Sequence, residues 1–139
     1  MMFNKDCKHC ACNDQAMLAL RIVLAIVLVM HGYDKLFGAT GIDGFTGFLT
    51  TLGFPAAAFF AWVASLLEFF GGIAIAVGLW TRYVSGLVAI QFAIILLFVK
   101  KLAFPASDLD LVIFGAALAL ALVGSGAWSC DAKMMKKGS

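Results

Sequence analysis

The chain has 139 residues, of which 63% are hydrophobic and 13% charged, and its mean hydropathy is +1.02. Soluble domains carry about 25% charged residues, so this chain has too few charges to clothe a water-exposed surface, and lipid must solvate much of it. A net charge of +2 excludes the strongly basic balance of a nucleic-acid binder, and no nucleic-acid partner is expected.

Residues 1–16 form a polar segment that contains Cys7, His9, Cys10 and Cys12. Its charges (Lys5, Asp6, Lys8, Asp14) and the lack of an apolar run followed by a small-residue cleavage site argue against a removable leader. Residues 17–130 read as a transmembrane domain, and 131–139 as a basic tail. A helix crossing a ~30 Å hydrocarbon core needs about 20 apolar residues. Met17 to Phe37 is the first candidate, with its apolar centre Ile22–Met30 between Arg21 and the polar group His31, Asp34, Lys35. Arg21 is expected to snorkel to the headgroups; the alternative is an amphipathic helix lying on the membrane surface. Gly38 to Pro55 is Gly-rich, with Phe45, Phe48, Leu49 and Leu52 at helical spacing after Asp43, which predicts a short interfacial helix ended by Gly53 and Pro55. Trp62 to Leu79, broken only by Glu68, is the second span. The uncharged runs Val84 to Val99 and Leu111 to Ala127 are the third and fourth. Trp80-Thr81-Arg82-Tyr83 is a tight turn at headgroup level. The fold class is therefore all-α, an integral membrane four-helix bundle with a short interfacial helix between spans 1 and 2.

Orientation follows from the cations near the span ends. Lys5, Lys8, Arg21, Arg82, Lys133, Lys136 and Lys137 share one side, against Lys35, Lys100 and Lys101 on the other. Seven against three places both termini in the cytoplasm, with the Lys100-Lys101 pair dissenting.

A carboxylate deep in a bilayer is costly, about 2.5–3.5 kcal/mol on insertion scales. Glu68 shares a helical face with the small residues Ala61, Ser65 and Gly72, so it should look into the bundle. Measured at ~1.5 Å per residue from the inner ends, His31, Glu68 and Gln91 lie within one or two turns in depth. His31 is the expected partner of Glu68, with Gln91 below, Asp34 and Lys35 beside His31, and Asp108 at the outer end of an inward stripe with Val112, Gly115 and Ala119. The cluster reads either as a pocket for a quinone headgroup or a moving proton, with His31 as carrier, or as an interhelical hydrogen-bond network that sets helix registry.

Three thiols and an imidazole fall within Cys7-Lys8-His9-Cys10-Ala11-Cys12, and an even span count puts Cys130 on the same side. Such a set suits Zn or an iron–sulfur cluster, or dithiol redox favoured by Lys8; it is also what an inert reduced tail would carry.

The run from Arg21 through His31-Gly32-Tyr33-Asp34-Lys35-Leu36-Phe37-Gly38 resembles the first-helix signature of the DoxX family. Leu67-Glu68-Phe69-Phe70-Gly71-Gly72 with Gly78-Leu79-Trp80-Thr81-Arg82 is similar to its second helix and turn. Asp110-Leu111, Gly115-Ala116 and Gly124-Ser125-Gly126-Ala127-Trp128-Ser129 resemble its last helix and exit. The resemblance covers about Arg21 to Asp131; Cys130 and the Cys7–Cys12 segment depart from the pattern. It implies a bacterial or archaeal inner-membrane four-helix bundle of a family linked to thiosulfate:quinone oxidoreduction, quinone or catechol stress and defence against thiol oxidation. It implies no catalytic residue set.

The expected function is a membrane component of a redox- or quinone-linked or thiol-stress defence system, acting with a soluble redox partner on the cytoplasmic side. A non-catalytic scaffold that recruits soluble oxidoreductases is the alternative. A small-molecule or ion carrier is a further one, which would need a homo-oligomer because four spans without an internal repeat are few for transport.

Overall fold

The computed structural model describes residues 6–39, 41–101, 107–126 and 128–137, with side chains described only between 14 and 134. Among the described residues all regular structure is helical. The helices are α1 (Asp6–Phe37), α2 (Gly41–Thr51), α3 (Ala57–Val77), α4 (Thr81–Ile94) with a π-helical extension Ile95–Val99, α5 (Asp108–Val123) and α6 (Cys130–Lys137).

Three stretches are long and apolar enough to cross a membrane: Asp14–Phe37, Ala57–Val77 and Thr81–Val99. The fourth helix is shorter than its sequence suggests. The uncharged run to Ala127 stops being helical at Val123, because Gly124 leaves the helical region at φ 95. Its 16 residues rise about 24 Å.

α1 packs along α3 and α4 along α5, while α3 against α4 joins the two pairs and α1 touches α5. Leu24, Leu28, Ile75, Val88, Phe92, Ile113, Ala117 and Leu120 fill the bundle interior. A first span lying flat on the surface is inconsistent with this packing. The outer faces carry Val23, Ile26, Phe70, Leu87, Ile90 and Leu122, all exposed. Apolar on both sides, such helices are stable only where lipid is the solvent.

The pairing of α1 with α3 depends on Gly32. A Cβ there would lie 2.5 Å from the Phe69 backbone nitrogen. The two backbones therefore nearly touch at the residue next to Glu68, as small residues permit in membrane bundles.

α2 docks across α3 through a separate small core, Leu49 against Ala57 and Ala61 with Ile42, Phe45 and Phe54 around it. Phe48 and Leu52 point outward. Gly53, at φ 75, reverses the chain after α2 as the sequence predicts.

Arg21 behaves differently from expectation. It does not snorkel; it is 1% exposed. Its Nε donates to Ile75 O at 3.0 Å and its Nη2 to Ala76 O at 2.9 Å, while Nη1 donates to Ser125 O at 3.0 Å and Trp128 O at 2.9 Å. A helix C-terminus leaves carbonyls without partners, and a guanidinium fork supplies donors in several directions at once. Arg21 thus ties α1 to the end of α3 and to the exit from α5. Gly78 makes room for it, since a Cβ there would collide with the guanidinium and come within 2.6 Å of Ser129 Cβ. On the same end, Asp131 of α6 accepts from the Trp80 and Thr81 backbone N–H groups at 2.8 and 3.1 Å, capping α4 from a distant segment. The exposed rings of Trp80, Tyr83 and Trp128 sit around this end, where aromatic residues meet the headgroups.

Candidate functional site

Glu68 stands near the middle of α3 with its side chain fully buried, on one buried face with Ala61, Ser65 and Gly72. Its partner is Lys35, not the His31 expected from helix depth. Lys35 Nζ donates to Glu68 Oε1 at 2.6 Å and to Oε2 at 2.7 Å. The reason is geometric: side chains on a helix lean toward its N-terminus. A long lysine near the end of α1 therefore delivers its ammonium a turn deeper than its own Cα. Lys35 Nζ also lies 4.7 Å from the Phe45 ring centroid, so α2 contributes a cation–π face to the same charge.

Gln91 of α4 completes the cluster by donating from Nε2 to Glu68 Oε1 at 2.6 Å. Because a carboxylate only accepts, this bond fixes the amide orientation. Gln91 Oε1 must then point elsewhere; it is buried and has no hydrogen-bond partner among the described residues.

Two cavities flank the cluster. The first, about 190 Å³, lies between α3 and α4 beneath α2; Gln91 is the polar side chain in a wall of Phe, Leu, Ile, Val and Ala. The second, about 180 Å³, is lined by His31, Lys35, Lys100 and Asp110 together with apolar side chains. Phe45, Leu49, Ile95 and Val99 border both. Ile95 and Val99 bound the π-helical segment, a distortion that recurs at functional sites.

The expected outward end of the pocket is corrected in two places. Asp34 is exposed and outside the cluster. Asp108 and Val112 are also exposed, as is Gly115; the inward face of α5 is Asp110, Ile113, Ala117 and Leu120. Asp110 forms an ion pair with Lys100, which brings the end of the α4 extension against the start of α5. The sequence marked Lys100 only for orientation and Asp110 only for the family resemblance, and neither as part of the pocket. Because α5 is apolar all round, hydrophobicity alone could not choose between its faces.

Cys130 opens α6, half-buried and free. The side chains of Cys7, His9, Cys10 and Cys12 lie outside the described residues, so the expected convergence of thiols falls there too. The backbone of α1 runs as one helix from Asp6 through the membrane-crossing stretch.

The family model for DoxX matches residues 16–101, more than half of the sequence. The chain belongs to the DoxX family. Arg21, His31, Lys35, Glu68 and Gln91 all fall within this DoxX segment, whereas Asp110, Cys130 and the Cys7–Cys12 segment fall outside it. The chain is 31% identical over 121 residues to a Bacillus subtilis (strain 168) protein named "Putative oxidoreductase CatD", covering 86% of this chain and 87% of that one. It is 33% identical over 131 residues to "Inner membrane protein YqjF" of Escherichia coli (strain K12), covering 90% and 96%. No solved structure matches significantly.

Proposed function

We propose that this DoxX protein is an inner-membrane component of a redox- or quinone-linked defence system, and that the Lys35–Glu68–Gln91 cluster is its ligand or proton site. The observation that carries this reading is the position of Glu68. A fully buried carboxylate is held by an amide that lines an apolar cavity and by an ammonium-bearing side chain that lines a polar one. Ionisable groups inside membranes are expensive and mark ligand or proton pathways. A registry network would need the bonds but not the two cavities beside them.

The residues fit a quinone-type ring. An apolar cavity of about 150 Å³ accepts benzene, and the first cavity, at about 190 Å³, adds one polar group at its wall. A quinone bound there would supply two-electron, two-proton chemistry. The chain's own part is to hold the ring against Gln91 and to keep a charged pair, with His31 one turn away, toward the polar cavity. The printed names of two relatives, "Putative oxidoreductase CatD" and "Inner membrane protein YqjF", agree with this role and location.

The seven-to-three distribution of cations supports placing both termini in the cytoplasm.

A recruiting scaffold is the second reading. It is favoured by α6, which presents exposed Lys133 and Met134 while Asp131 anchors it to α4. The cysteines of α1 at the same end suit metal binding or dithiol exchange with such a partner.

Binding of a tailed quinone to protein in lipid nanodiscs tests the main reading. Saturable binding that weakens about tenfold or more in Glu68→Gln, whose helix content is unchanged, is expected. Identical binding in both proteins would remove the cluster from the function and leave the scaffold.

A further inference from the structure

At the end of the bundle that carries α6, a polar recess and an apolar one meet at a single side chain. The polar recess, about 410 Å³, is lined by Val77 of α3, by Trp128 and Ser129 of the exit from α5, and by Cys130 and Lys133 of α6. The apolar recess, about 340 Å³, lies between α1 and α3. Ile22 and Ile26 of α1 and Ile73 and Val77 of α3 wall it, and the short side chains of Ala25 and Ala76 leave room between them. From Ile22 this groove runs to Met30, about 12 Å along α1 into the membrane. Val77 lines both recesses, so they are continuous. Neither shares a lining residue with the two cavities beside Glu68.

The polar recess is held in shape by Arg21. Its bonds to Ile75 O and Ala76 O on one side and to Ser125 O and Trp128 O on the other hold the end of α3 against the exit from α5. Trp128 is exposed there, with an indole N–H that can donate. Lys133 is exposed too, and makes no ion pair among the described residues. The nearest carboxylate in sequence, Asp131, spends both oxygens on the Trp80 and Thr81 N–H groups and lines a different cleft. Asp14 of α1 lines neither recess. The mouth therefore offers a cation and a neutral donor with no carboxylate in its wall, above a groove walled only by apolar side chains.

We propose that the joined recess binds one anionic phospholipid from the leaflet on the side of α6, its phosphate at Lys133 and Trp128 and an acyl chain along the groove between α1 and α3. The site stands apart from the quinone-type reading of the Glu68 cluster and does not depend on it. A soluble phosphate would meet the cation and leave the groove empty. A zwitterionic lipid would fill the groove but bring its own ammonium toward Lys133. An anionic lipid matches both parts at once. Because Lys133 belongs to α6 while the groove belongs to α1 and α3, the bound lipid ties α6 to the leaflet. One cation near the membrane surface favours an anionic partner by about fivefold.

The test is native mass spectrometry of the full chain in mild detergent, titrated with a phosphatidylglycerol or with a phosphatidylcholine of the same acyl chains. Wild type is expected to retain one phosphatidylglycerol about fivefold more tightly than phosphatidylcholine. Lys133→Gln is expected to bind both lipids at the phosphatidylcholine level. Ala76→Phe, which fills the groove from an exposed position, is expected to weaken both lipids while helix content and elution stay as in wild type. Ile73→Trp, also at an exposed position, fills the same groove and serves should Ala76→Phe alter the fold. Equal affinities in wild type, or a preference that persists in Lys133→Gln, would overturn the headgroup assignment. Unchanged binding in a folded groove-filled variant would overturn the acyl seat, and with it the proposal of a single lipid spanning both recesses.

Discussion

Replacing Lys35 with Met keeps much of the apolar stem and deletes the ammonium that lies over the Phe45 ring. Glu68 then loses donors at 2.6 and 2.7 Å and retains only Gln91. Its carboxylate is fully buried, so water cannot take the place of the ammonium, and removing one partner of a buried pair costs about 3–5 kcal/mol. The Lys35 side chain is 20% exposed, which puts the outer end of the pair near the headgroups and the expected cost near the low end, about 3 kcal/mol. Glu68→Leu should cost less, because the freed lysine can swing outward along its stem. The double variant, Lys35→Met with Glu68→Leu, should return to within about 1 kcal/mol of wild type, since an apolar pair of similar volume can replace a buried ion pair. Unfolding in mixed micelles, followed by tryptophan fluorescence at pH 7, measures all four corners of the cycle. Two strictly additive single costs would refute the coupling. A Lys35→Met cost below about 0.5 kcal/mol would make the pair equivalent to an exposed one.

Arg21→Lys should cost about 3 kcal/mol in the same unfolding assay, because one ammonium cannot reach both the end of α3 and the Ser125–Trp128 carbonyls, and each lost charge-assisted bond is worth about 1.5–3 kcal/mol. A neutral result would contradict the four-carbonyl arrangement. Asp131→Ala should remove the cap of α4 at a cost of about 1 kcal/mol. Hydrogen exchange at the Trp80 and Thr81 amides should rise at the same time, and unchanged protection would mean that the cap is idle. If the thiols are ligands, purified protein carries zinc or iron that disappears when Cys7, Cys10 and Cys12 are changed to Ser. A metal-free wild type ends that reading and leaves dithiol exchange.

Much of the architecture is legible in the sequence because the bilayer imposes a simple rule: long stretches without charge must be helices. The inward turn of Glu68 was equally readable, since Ala61, Ser65 and Gly72 mark the closely packed side of α3. Its partner was not. Counting residues gives the depth of a Cα, and an imidazole and a lysine ammonium on the same face end at different depths. Arg21 was misread for a related reason. An arginine near a span end can reach the headgroups or the end of a neighbouring helix, and only the positions of the Ser125 and Trp128 carbonyls decide between them. Asp108 and Asp110 straddle a helix that is apolar on every side, and the choice between them fell to Lys100. The unpartnered oxygen of Gln91 depends on three helices meeting, which no single segment encodes.

The most direct test is the ligand content of the unmodified protein drawn from its own membrane in mild detergent. Extraction and mass analysis should find a tailed quinone or hydroquinone stoichiometric with the chain, and depleted in Glu68→Gln. A wild-type preparation that stays folded, yet carries none and takes up none when it is offered, would contradict the assignment of the buried cluster to a ligand.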